Sequence, residues 1–270
     1  MKVIDRMQIR DFGKSGGAIA GKAPGPSGSV EPMVTVITVV LNGRRELERT
    51  IRSVKMQTYC NMEYIVIDGG STDGTVALLE DCKNSVDLWV SEPDRGISDA
   101  FNKGLRLASG DWMILLNAGD CFLREDAIES FAREFRSGNW VITAFARTEG
   151  GLMPVGRFSN NDDLRIRSLI SHQATMVHRN VYERVGLYNT SYRIRMDYEF
   201  WLRALRRYDF TFIEDVLIDY APNGVSANNE LLYYLEEHRA NMLRCANPKQ
   251  FLGALIRYVK LLPEIHRLKS

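Results

Sequence analysis

The sequence is poor in the residues that make metal–thiolate centres and covalent cross-links. Its four cysteines, Cys60, Cys82, Cys121 and Cys245, lie far apart, with no CxxC pair and no zinc spacing, and read as reduced, buried thiols of a cytosolic protein. The four histidines form no HExxH, which removes the common zinc-hydrolase signature. Charge of either sign is nearly balanced, at +1 overall, which argues against bulk electrostatic binding of nucleic acid. No apolar run approaches the roughly 20 residues of a membrane span. The N-terminus lacks the unbroken apolar core of a signal peptide. The chain is short of bulky side chains in one place: residues 12–32, "FGKSGGAIAGKAPGPSGSVEP", are rich in Gly, Pro and Ser. Such a stretch buries little, so residues 1–32 read as a flexible leader, with folded structure expected from Met33.

The remainder is ordinary for a globular protein: 270 residues, 45% hydrophobic and 26% charged, enough for one large α/β domain or two smaller ones. "VTVITVV" (34–40) is β-branched and apolar throughout, as a strand buried on both faces should be. "RRELERTIRSVKMQ" (44–57) places Leu47, Ile51 and Val54 on one helical face. Further strands are expected at 63–68, in "DLWVSEP", in "WMILLN" and at 140–146. Helices are expected in "STDGTVALLEDC", in "ISDAFNKGLRLASG" with Gly110 as its stop, and at 125–136. Alternating β and α units predict a mostly parallel sheet with helices on both faces and a ligand site beyond the carboxyl ends of the strands. After residue 147 the rhythm weakens: "RTEGGLMPVGRFSNNDD" and "NGVSANNE" read as loops, "SHQATMVHRNVYERVG" as a strand and a short helix, and "DYEFWLRALRRY" as a helix. A helical tail follows from 229.

Three strand ends carry polar clusters: Asn42 after the first, Asp68 after the second, and Asn117, Ala118, Gly119 and Asp120 after "WMILL". "DGGSTDGT" (68–75) combines glycines that let a ligand approach the backbone with capping oxygens at a helix start. A capped turn explains the same residues. The motif is neither GxGxxG nor a Walker loop.

Four segments occur in order: "VTVITVVLNGRRELERTIRSVKMQTY", "EYIVIDGGSTDGT", "SEPDRGISDAFNKGLRLASGDWMILLNAGD" and "DYEFWLRALRRY". Together, over residues 33–226, they closely resemble the family 2 glycosyltransferases of GT-A fold, among them bacterial polysaccharide enzymes of the colanic-acid type. The resemblance implies an inverting transfer of a sugar from a nucleotide-diphosphate sugar to an acceptor hydroxyl, with Mn²⁺ or Mg²⁺ as cofactor. It implies a nucleotide-sugar-binding half at 33–146, an acceptor-binding and catalytic half at 147–228, and the tail at 229–270. Matching positions give donor contacts at Val40, Asn42, Asp68, Asp94, Arg95, Gly96, Asn102, Asn117 and Ala118. Asp120 matches the last acid of the family's metal corner, although the partner acids are absent here. A hard divalent ion accepts one carboxylate when diphosphate oxygens and water complete its shell.

An alcohol is a weak nucleophile, so transfer needs a general base. The resemblance assigns that role to Asp197, with a helix cap as its structural alternative and Glu199 as a second carboxylate in reach. His172 and Gln173 are candidates for contact with the diphosphate or the acceptor. The C-terminal "FLGALIRYVKLLPEIHRLKS" mixes apolar residues with Arg257, Lys260, Arg267 and Lys269, a pattern suited to an anionic membrane surface. The expected acceptor is a saccharide or lipid-linked saccharide, used in the cytoplasm or at the inner face of the membrane. Two other readings remain open at this point. One is a nucleotide-sugar-binding module without catalysis. The other is a sugar-phosphate nucleotidyltransferase, against which the absence of a Gly- and Arg/Lys-rich loop in "VVLNGRRELERT" counts.

Overall fold

The computed structural model describes residues 14–17, 31–82, 84–154, 169–221 and 229–244, with 252, 256 and 259. The elements are β1 (Lys14–Gly17), β2 (Val34–Val40), α1 (Arg44–Lys55), β3 (Met62–Asp68), α2 (Thr75–Asp81), β4 (Leu88–Ser91), α3 (Ile97–Leu107) and β5 (Trp112–Asn117). They continue with β6 (Cys121–Phe122), α4 (Ala127–Ala132), β7 (Val141–Thr148), β8 (Gly151–Met153), a 3-10 turn (His172–Ala174) and β9 (Thr175–His178). The last are α5 (Arg179–Val185), α6 (Met196–Ala204), β10 (Phe210–Asp219) and α7 (Glu230–Arg244).

One sheet runs in the order β1-β4-β3-β2-β5-β9-β7-β10-β6, with β8 paired to β7. The central strands β4, β3, β2 and β5 are parallel. Along β2 the side chains alternate between two cores. Ile37 and Val39 face the layer that contains α3, α5 and α6, while Val34, Val36 and Val40 face the layer of α1, α2 and α4. Burial on both faces is why this strand reads as an unbroken apolar run. Helix α1 buries Leu47, Ile51 and Val54 as its periodicity predicts, and adds Thr50.

β9 alone breaks the parallel order in the middle of the sheet. It is antiparallel to both β5 and β7, with Ile114 opposite Met176 and Thr143 opposite Thr175. Its first residues therefore lie at the edge where its neighbours end.

The structure corrects several expectations. Residues 14–17, read as part of a flexible leader, form an edge strand antiparallel to β4 through backbone pairing; most of the leader lies outside the described residues. Helix α3 stops at Leu107, three residues before Gly110, because Ala108 turns to extended backbone. A Cβ on Gly110 would lie 2.6 Å from the Thr35 hydroxyl, so that glycine serves a close approach to β2 rather than a helix end. Part of the loop after 147 is a hairpin, with Leu152 opposite Arg147. Cys60 is exposed, and Cys82 and Cys121 are only half-buried. Among the described residues no helix is long and apolar enough to cross a membrane. Residues 222–228 of the second loop, and nearly all of the tail beyond 244, lie outside the described residues.

Candidate active site

The carboxyl edge of β2, β3 and β4 is a laced pair of loops. Asn42 takes a left-handed conformation at φ 50°. Its N–H donates to the Ser71 hydroxyl at 2.6 Å, and its Oδ1 accepts the Thr72 N–H at 2.9 Å. The Val40 carbonyl accepts the Gly69 N–H at 2.9 Å. Asp68 is fully buried and ties this loop together. Its Oδ2 accepts the Gly70 N–H at 3.2 Å, the Ser71 N–H at 3.0 Å and the Ser91 hydroxyl at 2.6 Å, and its Oδ1 takes the Ser71 hydroxyl. The carboxylate expected to contact the donor is thus spanned by four hydrogen bonds, three from the loop after β3 and one from Ser91 at the end of β4.

Asp94 closes the other side. Its Oδ1 accepts the Gly96 N–H at 2.8 Å, and its Oδ2 lies where a side chain on Gly69 would project. Arg95 turns toward α3, with its backbone N–H 3.2 Å and its Nη2 3.3 Å from the Asp99 carboxylate. The fold brings Val40, Asn42, Asp68 and Asp94 together at this edge of the sheet. Leu41, 60% exposed, stands beside Gly69. In the sequence nothing marks Leu41, because an apolar residue after a buried strand looks like its continuation. Asn102 sits elsewhere: its amide donates to the Tyr188 carbonyl at 2.9 Å and accepts the Tyr188 N–H at 2.9 Å, pinning the chain after α5 to α3.

At the end of β5 the chain makes a tight corner. The Ala118 N–H continues the strand pairing to the Val39 carbonyl at 3.0 Å. Gly119 follows at φ +103°, its N–H held by the Thr50 hydroxyl at 2.8 Å. A Cβ there would stand 2.9 Å from that of Ala221, so the position needs glycine twice over. Asp120 is buried. Its Oδ2 accepts the Asn117 N–H and its Oδ1 the Ala221 N–H, each at 2.9 Å. Burial pushes its carboxyl upward against the pull of those two N–H groups, His172 and Gln173.

Whether this corner suits a divalent cation turns on its donors. Among the described residues, no group of three or more His, Cys, Asp and Glu is placed to hold a metal ion. Asp120 offers a carboxylate that already accepts from Asn117, Ala221 and Gln173 and has room for one further contact, and the Asn117 Oδ1 is buried without a hydrogen-bond partner. A carboxylate and a neutral amide oxygen form a thin oxygen set, which fits a hard cation shared with a diphosphate.

The reversed strand β9 delivers the next groups. His172 and Gln173, on the 3-10 turn that leads into it, are buried beside Asp120. The Gln173 Oε1 accepts the Ser171 hydroxyl at 2.5 Å. His172 packs edge-on to Phe101 with centroids 5.5 Å apart, and its Nδ1 lies 3.5 Å from Asp197 Oδ2. The Nε2 of His172 is buried without a partner. The imidazole thus lies between the Asp120 corner and Asp197.

Asp197 lies in the first turn of α6, after the N-cap position, which Arg195 occupies. It is therefore not the cap of that helix. Its Oδ1 accepts the Tyr198 N–H at 2.7 Å. Burial pushes its carboxyl up, but His172, the Arg195 charge and the Tyr198 N–H together hold it below the usual carboxylate range. Glu199 is fully buried and engages Arg203 at 3.1 and 3.0 Å, while that arginine also holds the Val185, Gly186 and Leu187 carbonyls. It braces α6 against the chain after α5. Arg195 was invisible in the sequence, where it is one arginine among many.

Residues 35–208 match the family model for glycosyl transferase family 2. An uncharacterized glycosyltransferase of Mycobacterium tuberculosis is 33% identical over 206 residues, 74% of this chain and 79% of that protein. A PGL/p-HBAD biosynthesis glycosyltransferase of Mycobacterium bovis is 29% identical over 179 residues, 64% of this chain and 70% of that one. Among solved structures, the mannosyltransferase PcManGT of Pyrobaculum calidifontis, in complex with GDP-Man and Mn²⁺, superposes with a TM-score of 0.62 at 18% identity, covering 89% of this chain and 77% of its own. S. aureus TarS 1–349, in complex with UDP-GlcNAc, gives 0.62 at 13% identity over 84% of this chain and 71% of its own. These likenesses establish the fold as GT-A.

Proposed function

Because this chain belongs to glycosyl transferase family 2 and is a glycosyltransferase, we propose that it moves a sugar from a nucleotide-diphosphate sugar to an acceptor hydroxyl with inversion. The observation that carries the reading is the convergence of Asp120, His172 and Asp197 at one sheet edge, with His172 between the two carboxylates. A base must be ionised before it can take a proton, and Asp197 is held below the usual range. It accepts the acceptor's hydroxyl proton as the new bond forms to the anomeric carbon. The bond from that carbon to the diphosphate breaks at the same time, and its electron pair leaves with the phosphate oxygen. A single base and no covalent intermediate account for inversion.

Asp120 and Asn117 are the residues that would hold Mn²⁺ or Mg²⁺, which neutralises phosphate charge when bound. The free Nε2 of His172, with the Gln173 amide, is suited to a diphosphate or acceptor oxygen on the same side. Val40, Leu41, Asn42, Asp68, Asp94, Arg95, Gly96 and Ala118 make up the nucleoside side of the cleft. Residues 33–146 then serve the donor and 147–228 the acceptor, a saccharide or lipid-linked saccharide of surface polysaccharide or glycolipid synthesis. PcManGT was solved with GDP-Man and TarS with UDP-GlcNAc, which supports a nucleotide-sugar donor without choosing the base. The basic C-terminal sequence, with Leu252, Ile256 and Val259 exposed, supports contact with an anionic membrane surface.

Thermal-shift screening against UDP-, GDP- and dTDP-sugars, with and without Mn²⁺, tests the donor site. One nucleotide class is expected to stabilise, and more so with metal; stabilisation by none removes the assignment. Asp197→Asn is expected to keep that shift and lose transfer by about 10²- to 10⁴-fold. Wild-type transfer by the variant would remove it as base.

A further inference from the structure

The tail helix does not stand apart from the catalytic half. α7 packs on α6, and it also holds residues 191–195, the segment that leads into Asp197. The buried Glu236 carboxylate accepts three consecutive backbone N–H groups, from Arg193 and Ile194 at 2.8 Å each and from Arg195 at 2.9 Å. One residue along α7, Glu237 takes the buried Arg195 guanidinium at 3.0 Å. That guanidinium lies 4.3 Å over the Tyr233 ring and 5.2 Å over Tyr198. The Tyr198 hydroxyl donates to Asn241 Oδ1 at 2.8 Å, and Arg239 reaches the Ser191 hydroxyl at 3.1 Å.

We propose that α7 is a working part of the transfer site, with Glu236 and Arg195 as positioning residues that fix where Asp197 sits. The inference rests on the reading of Asp197 as base. Buried ion pairs are weak stabilisers compared with apolar packing of similar volume. Here they sit just before α6, on the N–H groups of Arg193, Ile194 and the N-cap residue Arg195, which the helix itself does not pair. Asp197 is two residues beyond the last N–H that Glu236 holds, so any shift of that anchor moves the base directly. The charged and titratable groups that act on Asp197 are His172 from the turn before β9, Arg195 on its own segment, Tyr188 from the chain after α5 and Tyr233 from α7, while Glu237 of α7 acts on Arg195. Arg195 is the fixed cation among them, and α7 fixes it.

The test uses the full chain with the nucleotide sugar that gives the thermal shift. Glu236→Gln is expected to lower kcat by about 10- to 100-fold, the scale of a small misplacement of a catalytic group. Donor KM should stay within about twofold, because the variant leaves the cleft of β2 to β4 intact. Arg195→Met is expected to lower kcat and to move the acid limb of its pH profile upward; Arg195→Lys, which keeps the charge, should return the limb toward wild type. Unchanged kcat in Glu236→Gln, or an unmoved limb in Arg195→Met, overturns the inference. If Glu236→Gln fails to fold, the two Arg195 variants decide alone. Transfer by Asp197→Asn at the wild-type rate removes the base reading itself. Loss of transfer in that variant, alongside an unmoved limb in Arg195→Met, removes only the role given to α7.

Discussion

Asp68→Ala separates the structural load on the donor loop from its contact with donor. Four hydrogen bonds end on this carboxylate, from Gly70, Ser71 twice and Ser91. Bonds to a charged acceptor are each worth about 1.5–3 kcal/mol, and removing the acceptor strands two backbone donors in a part-buried loop. Relief of the carboxylate's desolvation, and water entering the space it leaves, return some of that, so a net loss of roughly 3–5 kcal/mol is expected. At about 2–4 °C per kcal/mol for a domain of this size, the unfolding midpoint should fall by roughly 6–20 °C. Thermal unfolding followed by circular dichroism, without donor, reads this directly. Ser91→Ala removes one of the four donors and should cost about 1.5–3 kcal/mol. A fall of less than about 2 °C in Asp68→Ala would refute the reasoning, since at that scale the loop would not depend on its carboxylate.

Gly119→Ala forces a side chain into positive φ and against Ala221, and should cost at least about 2 kcal/mol while abolishing the metal-dependent part of the donor shift, both read in one thermal titration. Asn102→Ala loses both bonds to Tyr188 and should destabilise by about 2–3 kcal/mol with donor KM unchanged; a raised KM at unaltered stability would place Asn102 in the donor cleft instead. Asp197 has a folded-state carboxyl below the usual range, so the base stays ionised as pH falls from neutral to the ordinary carboxylate pKa of about 3.9. Its contribution to stability is likewise present above that unfolded value and lost as pH falls through the lower folded one. A kcat profile that drops between pH 7 and 6 in step with a single carboxylate would contradict this.

The central strands were legible because burial on both faces leaves a β-branched run that little else produces. Leu47, Ile51 and Val54 gave the inward face of α1 by spacing alone. β10 was not legible: "FTFIEDVLID" carries Glu214 and Asp215 in mid-strand, and its register against β7 shifts twice there, so its periodicity is broken by bulges. β1 could not be foreseen either, since "KSGG" pairs through its backbone and carries no pattern of burial. Asp120, His172 and Asp197 each stood out as separate candidates. Their meeting did not, because it depends on the reversed direction of β9, a property of the sheet and not of any short stretch. Arg195 and Glu236 gave no local signal at all, since a charge buried by a distant helix looks the same in sequence as one in water.

The position of β9 also bears on how the molecule is made. β7 leaves the ribosome before the strand that joins it to β5, so the nascent sheet passes through a stage in which Trp112, Met113 and Ile114 line an unpaired, apolar edge. The closing bond between Asp120 and Ala221 spans 101 residues of chain. Pairings of such separation form slowly. Refolding should therefore regain helix first and donor binding last, and the interval between them is when the chain is most exposed to aggregation.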